Sequence, residues 1–350
     1  MEKEKFSLEK SILAAVVYYD GFDYPLTLWE LRKNLADLSR FSAAGRLSEK
    51  ISLTEILKEM ETSELLKKTL SEREGFCFLK GKENIVEQRI ERQKISEQNW
   101  KKAKRFSFVF RFIPFLKLVF VSGSLALNNA KSGSDIDLLM VSKSGRIWTC
   151  RFFALLPLAI FGVLRRGEKI AGRFCLNHFI TDESLEIKNQ SLYNARTYAN
   201  LIPFVVRDKN VLAEFWKKNI WIKNYAAFSP PSPEIANFHA VFGKKSSSFF
   251  QEQHSHILQN VRMLLSFRSR RQTAVGDFFE KIFAVLQKHR IEKDPRTKKT
   301  GGRVVADDSR LEFHPDSPES EILAKYNEKM KKLGFMELAE ERNSGLRANR

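Results

Sequence analysis

Asp135 and Asp137 flank Ile136 at the head of an apolar run that continues to Val141. On a β-strand, residues two apart leave the same face, so two carboxylates at this spacing project side by side. Such a pair suits Mg²⁺, which takes one or two protein carboxylates and completes its oxygen shell with water and substrate phosphates. Ten residues upstream, Gly123-Ser124 closes a second apolar run, Leu116 to Val121. A glycine lets backbone approach closely. A serine that opens a helix leads into free N–H groups, which attract phosphate. One end of this stretch therefore suits a triphosphate and the other its metals.

The elements that must carry these residues read as strand, tight turn, short helix, loop and strand. Gly123-Ser124, a ten-residue spacer and Asp-apolar-Asp-apolar between two strand-like runs resemble the signature of the nucleotidyltransferase superfamily, which includes DNA polymerase beta and the minimal nucleotidyltransferases. The resemblance spans residues 116–205. It implies an enzyme that moves a nucleoside monophosphate from a nucleoside triphosphate to an acceptor hydroxyl and releases pyrophosphate. It implies Mg²⁺, with Mn²⁺ as the alternative, on Asp135 and Asp137 as catalytic metal ligands, and nucleotide contacts from Gly123, Ser124 and Ser134. The acceptor is open among RNA, a protein and a small alcohol.

In that superfamily a third carboxylate sits on a strand after the next helix. Here the run Arg173 to Ile180 reads as that strand and offers Asn177 and His178 instead, with Glu183 and Glu186 following. An amide takes no proton, and a core histidine is the plainer reading of His178. All four residues stay open for the third position. The gap sustains a second reading, a catalytically impaired nucleotide sensor that binds DNA or protein.

The chain has 350 residues, room for two or three domains. Its net charge of +18 and pI near 9.7 fit a polyanionic partner, nucleotide or nucleic acid. The three cysteines, Cys77, Cys150 and Cys175, are odd in number and far apart, so neither a disulfide framework nor a zinc site is indicated. They read as buried thiols of a reducing compartment. The start, Met-Glu-Lys-Glu-Lys, lacks the apolar core of a signal peptide, so a cytoplasmic location is expected. Phe152 to Leu164 is the most apolar segment, but at 13 residues it is too short to span a bilayer. A buried helix without stable membrane insertion is expected there.

Upstream, residues 7–19 have a strong apolar face of helical period. Thr27-Leu-Trp-Glu30 and Ser52-Leu-Thr-Glu55 are capping-box patterns that open two more helices. Leu65 to Leu70, a turn at Ser71 to Gly75, and Phe76 to Leu79 read as a hairpin. Three helices and a hairpin resemble a winged-helix domain over residues 1–82. Its third helix carries Glu55, Glu59 and Glu61, which oppose DNA phosphate, so protein contact is as good a reading as DNA contact.

Residues 83–115 read as a basic connecting helix, with Arg89, Arg92, Lys101, Lys102, Lys104 and Arg105 placed to line an acceptor's path. Residues 116–228 form the nucleotidyltransferase domain, with Leu192 to Val206 read as one helix. Ser229 to Pro233 is a linker. Residues 234–336 read as a helical C-terminal region broken by a basic loop at Pro295 to Arg303 and a polar, turn-rich stretch at Asp307 to Pro318. Residues 337–350 read as a disordered tail. The expected class is α+β: a small mixed-sheet nucleotidyltransferase core, an N-terminal winged-helix domain and a C-terminal helical region.

Overall fold

The computed structural model describes residues 8–35, 51–226, 270–298, 303–314 and 317–335. The linker at 229–233, the chain from there to 269 and the tail from 336 lie outside the described residues.

Helix α1 (Leu8–Asp20) is buried without a break from Ile12 onward. It forms the axis of the N-terminal unit, as expected of a helix that is apolar all round. Strand β1 (Leu26–Thr27) leads into α2 (Leu28–Lys33), and α3 spans Leu53–Thr62. Both capping boxes form: Thr27 and Ser52 each accept from the third backbone N–H while Glu30 and Glu55 accept in return. The run read as strand at Leu65 to Leu70 is instead a helix, α4 (Glu64–Thr69). Ser63 accepts from the Leu66 N–H and starts it. The hairpin follows as β2 (Leu70–Arg73) and β3 (Phe76–Leu79), joined by Glu74-Gly75 with φ of 53° and 75°. Two positive φ values make the tight turn that matches strand twist. The three strands are antiparallel, in the order β1-β3-β2.

Helix α5 (Ile85–Phe106) joins this unit to the rest. Two of its basic residues are buried at the junction rather than exposed to a partner. Arg89 pairs with Glu30 at 2.8 Å, donates to the Leu127 carbonyl at 3.0 Å and lies 3.8 Å from the Tyr24 ring centre. Arg92 donates to the carbonyls of Phe22 and Asp23 and to Asn129 Oδ1. Buried guanidinium groups persist where such bonds satisfy them. The exposed charges are mixed earlier in the helix, at Glu87, Glu91, Lys94 and Glu97, and uniformly basic at its C-terminal end, at Lys101, Lys104 and Arg105.

The central elements are β4 (Leu116–Val121), α6 (Gly123–Ala126), β5 (Ile136–Ser142), α7 (Ile147–Ile160), β6 (Phe174–Thr181), α8 (Leu192–Ala199), β7 (Ile202–Val206) and α9 (Lys209–Lys218). After the undescribed stretch come α10 (Arg270–Lys293), β8 (Arg303–Ala306), β9 (Arg310–His314) and α11 (Glu319–Lys332). One mixed sheet runs β7-β4-β5-β6-β9-β8, with β5 and β6 parallel and the other pairs antiparallel. The fold is α+β.

Both faces of the sheet are covered, which explains the unbroken apolar runs of β4 and β5. Val119, Val121, Leu138 and Met140 join a core with α7, while Leu118, Phe120, Leu139 and Val141 join one with α8 and α9. The stretch read as one helix over Leu192 to Val206 splits after Asn200. Its second half is the edge strand β7, where Pro203 faces Phe120 at a register shift. Proline lacks a ladder donor and is tolerated at an edge.

The stretches read as a basic loop at Pro295 to Arg303 and as turn-rich at Asp307 to Pro318 also contribute to two strands, β8 and β9. Glu312, 3% exposed, is ion-paired with Arg303 at 2.7 Å and lies 3.4 Å from His178. Helix α10 packs on α7, and its Glu280 accepts from the N–H groups of Trp148 and Thr149. A carboxylate from another element thus caps the first turn of α7, where it also meets the positive end of the helix dipole. Helix α11 returns to α1, with Lys329 ion-paired to Asp20. No helix among the described residues is long and apolar enough to cross a membrane. Helix α7 is buried on one side only, and Ile160 at its end is 73% exposed.

Candidate active site

Strand β4 ends where the Ser122 N–H donates to the Asp137 carbonyl at 3.0 Å, so the bend that follows is tied to β5. Gly123 then takes φ 64°. A Cβ built on it would lie 2.5 Å from Asp137 Oδ2. Glycine is required here twice over, by conformation and by space. Ser124 follows in the first turn of α6 and is half-buried. The Gly-Ser bend and the second aspartate are in direct contact.

Asp135 immediately precedes β5 and Asp137 is its second residue. The Ile136 N–H donates to the Arg173 carbonyl and the Gly172 N–H to the Ser134 carbonyl, which ties this end of β5 to the approach to β6. In the parallel register Asp137 faces Cys175. Carboxylate oxygens of Asp135 and Asp137 and the sulfur of Cys175 all lie within 4.8 Å of one another. Burial, and next the charge of Asp135, raise the Asp137 carboxyl to about 7. Burial pushes the Cys175 thiol up as well, with the two aspartates adding to it.

Arg165 partly balances this negative charge. Its Nη1 lies 2.5 Å from Asp135 Oδ2 and 3.5 Å from Cys175 Sγ. It reaches the site because the chain after α7 is pinned to β6, with the Arg165 N–H donating to the Phe174 carbonyl at 2.9 Å.

The other sequence candidates lie elsewhere. Ser134 Oγ accepts from the Lys131 N–H at 2.9 Å and shapes the loop before the pair. Asn177 meets His314 Nδ1 at 3.4 Å, and His178 is buried beside Glu312. Glu183 accepts from Ser144 Oγ at 2.8 Å, and Glu186 faces Gln190. His178, Glu183 and Glu186 do not belong to the cluster of ligand atoms around Asp135 and Asp137.

Cys175 and Arg165 are the site residues that spacing does not reveal. Alternation along β6 offers a faint signal for the first: Phe174 and Leu176 join the α7-side core, leaving Cys175 between them for the acidic side. Nothing in the local pattern marks Arg165.

The donor set fits a hard dication. Two carboxylates crowd together, one of them raised to about 7 by burial first and by its neighbour's charge second. Oxygen donors suit Mg²⁺, whereas the buried neutral thiol of Cys175 does not.

Residues 101–192 match the family described as nucleotidyltransferase domain. The chain carries a nucleotidyltransferase domain. The match runs from the last turns of α5 to the first residue of α8 and contains the Gly-Ser bend, both aspartates, Arg165 and Cys175. A domain of this family implies nucleotidyl transfer of the EC 2.7.7 type from a nucleoside triphosphate, and the family typically uses divalent metals. No curated protein and no solved structure matches the chain.

Proposed function

We propose that the protein is a Mg²⁺-dependent nucleotidyltransferase that moves a nucleoside monophosphate from a nucleoside triphosphate to an acceptor hydroxyl. One observation carries this reading: Asp135 and Asp137 converge, and the Gly123 backbone touches Asp137 so closely that no Cβ fits between them. Asp135 and Asp137 would hold the Mg²⁺, with Mn²⁺ as the alternative. When bound, the metal supplies positive charge against the phosphates and the leaving oxygen.

Gly123 and Ser124 orient the triphosphate through backbone N–H groups at the start of α6, and Ser134 holds the loop that leads to the acids. The acceptor oxygen forms a bond to the α-phosphorus while the bond from that phosphorus to the bridging oxygen breaks and pyrophosphate leaves. Cys175 is held as a neutral thiol and Asn177 is an amide, so neither takes the acceptor's proton, which passes to water. Arg165, paired with Asp135, would compete with the metal for that carboxylate.

The test is label transfer. Purified protein with Mg²⁺ and each labelled triphosphate, with and without total RNA, is compared with Asp135→Ala/Asp137→Ala. Transfer or pyrophosphate release that the double variant abolishes supports the reading; equal activity in the double variant would sink it.

A second reading, nucleotide sensing without turnover, draws on Cys175 at the position facing Asp137 and on Arg165 already paired with Asp135. Binding without turnover, across all four triphosphates and several acceptors, would favour it.

For residues 1–82, the order α1-β1-α2-α3-α4-β2-β3 and the sheet order β1-β3-β2 support a winged-helix reading. Glu55 and Glu61 are exposed on and near α3, so contact with a protein or with the domain behind it suits this unit better than a DNA groove. Residues 83–115 then act as a joint, with Arg89 and Arg92 as its fixings. Residues 303–314 belong with the catalytic sheet rather than with a separate C-terminal region.

A further inference from the structure

A cavity of about 690 Å³ lies between α7, α10 and the β8–β9 hairpin. That is the size of a site for a small organic molecule. Phe152, Leu155, Leu286, Ile291 and Phe313 give it apolar walls. Four arginines, Arg151, Arg165, Arg166 and Arg290, are set into those walls, and Asp294 is the one acidic residue of the lining.

Arg151 is the deepest of the four. Its Nη1 donates to Gln287 Oε1 at 2.7 Å, and its guanidinium lies 5.1 Å from the Phe313 ring centre. Gln287 is itself held, donating to the Trp148 carbonyl at 2.9 Å. Arg151 Nε is buried without a hydrogen-bond partner, and no carboxylate pairs with this side chain among the described residues. Burial, and then the charge of Arg290, push the guanidinium down to about 10. A cation held this way in an apolar cavity calls for a counter-ion from outside.

The cavity also shares a wall with the acidic pair. Arg165 and Cys175 line it, and the same two residues touch Asp135 and Asp137.

We propose that this cavity binds the acceptor, a small organic anion with an apolar body and a free hydroxyl. Its charged group is held by Arg151 and Arg290, and its hydroxyl is delivered past Arg165 and Cys175 to Asp135 and Asp137. This rests on the nucleotidyl-transfer reading above. It narrows the acceptor to a small carboxylate or phosphate monoester, whose apolar body matches the walls and whose charge matches the arginines. A nucleobase needs no cluster of guanidinium groups, and the triphosphate has its own place at Gly123-Ser124.

The test uses the full chain without nucleotide or Mg²⁺ and three probes in calorimetric titration: benzoate, phenyl phosphate and neutral benzyl alcohol. The expected result is that at least one anion binds while benzyl alcohol does not, and that the better anion identifies the charged group. Arg151→Met and Arg290→Gln should each weaken binding by about tenfold or more, as loss of a charge-assisted contact does. Arg290 is exposed at the rim, so R290Q keeps the test decisive if R151M does not fold. Asp135→Asn/Asp137→Asn should bind the anion at least as well as the parent, since it leaves Arg151 and Arg290 in place and releases Arg165 from Asp135.

No binding of either anion, or equal binding to R290Q, overturns the cavity proposal while leaving label transfer untouched. Displacement of the bound probe by nucleoside triphosphate from D135N/D137N would give the cavity to the nucleotide and overturn the acceptor assignment. Conversely, anion binding in a protein whose transfer survives D135N/D137N would separate the cavity from the catalytic reading.

Discussion

Arg165 Nη1 lies 2.5 Å from Asp135 Oδ2, so a cation of the protein itself meets one of the two carboxylates that would hold a metal. The two cations compete. Arg165 is 39% exposed, so its pair with Asp135 is worth about 1 kcal/mol rather than several. Arg165→Gln should therefore tighten Mg²⁺ binding about fivefold, the equivalent of about 1 kcal/mol. Titration of Mn²⁺ by its paramagnetic signal would measure this. Weaker binding in R165Q would mean that the arginine assists the metal site instead.

The Asp137 carboxyl sets a pH dependence. Its folded value, about 7, lies above the unfolded carboxylate value near 3.9. A carboxyl raised in the folded state favours folding while it keeps its proton. Stability of the metal-free protein is therefore greatest below about pH 4 on this account and declines as pH rises to about 7, by at most about 1.4 kcal/mol per pH unit. Thermal unfolding in EDTA should show the parent losing stability between pH 5 and 7 relative to Asp137→Asn, since the lowered His314 works the other way in both proteins, and Mg²⁺ should reverse the loss by binding the ionised native form. A melting temperature in EDTA that is flat over that range, with and without D137N, would contradict the raised value.

Gly123→Ala places a methyl group 2.5 Å from Asp137 Oδ2 at φ 64°. The conformation alone costs about 1–3 kcal/mol, and relief of the contact requires Asp137 to turn away. Transfer activity should fall by two orders of magnitude or more, about 3 kcal/mol of misplacement, while the circular dichroism of the sheet stays native. A G123A protein with parental activity would show that the bend does not need its close approach to Asp137.

These features are legible in the sequence because they are local. A period of two places Asp135 and Asp137 together, and a glycine before a short helix announces the bend. The Thr27 and Ser52 caps are legible for the same reason. Cys175 and Arg165 are not, because their place depends on pairing between segments some forty residues apart. A bulge between Asp137 and Leu139 shifts that pairing, and nothing in the sequence announces the shift. Strands β8 and β9 escape notice because they are short and rich in charge, and the apolar alternation that marks a strand is replaced by Arg303, Arg310 and the buried Glu312. Arg89 and Arg92 mislead in the opposite sense. Their charge reads as a surface for polyanions, and the fold spends it on carbonyls at a junction.

Acid should open the seam between β6 and β9. Burial, and then the charges of His178 and Arg303, push the His314 imidazole down to about 4 from its usual 6.5. The folded state thus holds a neutral ring that the unfolded chain protonates, and this contribution is lost as pH falls from about 6.5 to 4. Burial alone would raise Glu312, but His178 first and then Arg303 and Arg310 hold it near 2, so its contribution is lost only below about pH 4.5. Hydrogen exchange of amides in residues 174–181 and 310–314 should accelerate relative to β4 as pH falls through 6 to 4, after correction for intrinsic rates. His314→Gln should flatten the upper part of that decline. Uniform loss of protection across the sheet would place the acid-sensitive step elsewhere.

The residue that faces Asp137 decides how far the domain can go as a catalyst. Cys175 is neutral there, so the site presents two carboxylates, of which Asp137 keeps its proton near neutral pH without metal. Cys175→Asp adds a third acid within ligand distance of both aspartates. Without metal the added charge has only Arg165 to meet it, so C175D should unfold at lower temperature than the parent, and by more at pH 8 than at pH 6. With Mg²⁺ the order reverses: three oxygen donors replace two, metal affinity rises by about tenfold or more, and the melting temperature recovers. If transfer in the parent is slow because no residue takes the acceptor's proton, C175D should also raise kcat and lower the pH at which the rate levels off. Both readouts are needed, since tighter metal alone would raise apparent affinity without moving the pH profile. Mg²⁺ affinity unchanged in a folded C175D protein would show that the position facing Asp137 does not look into the metal site.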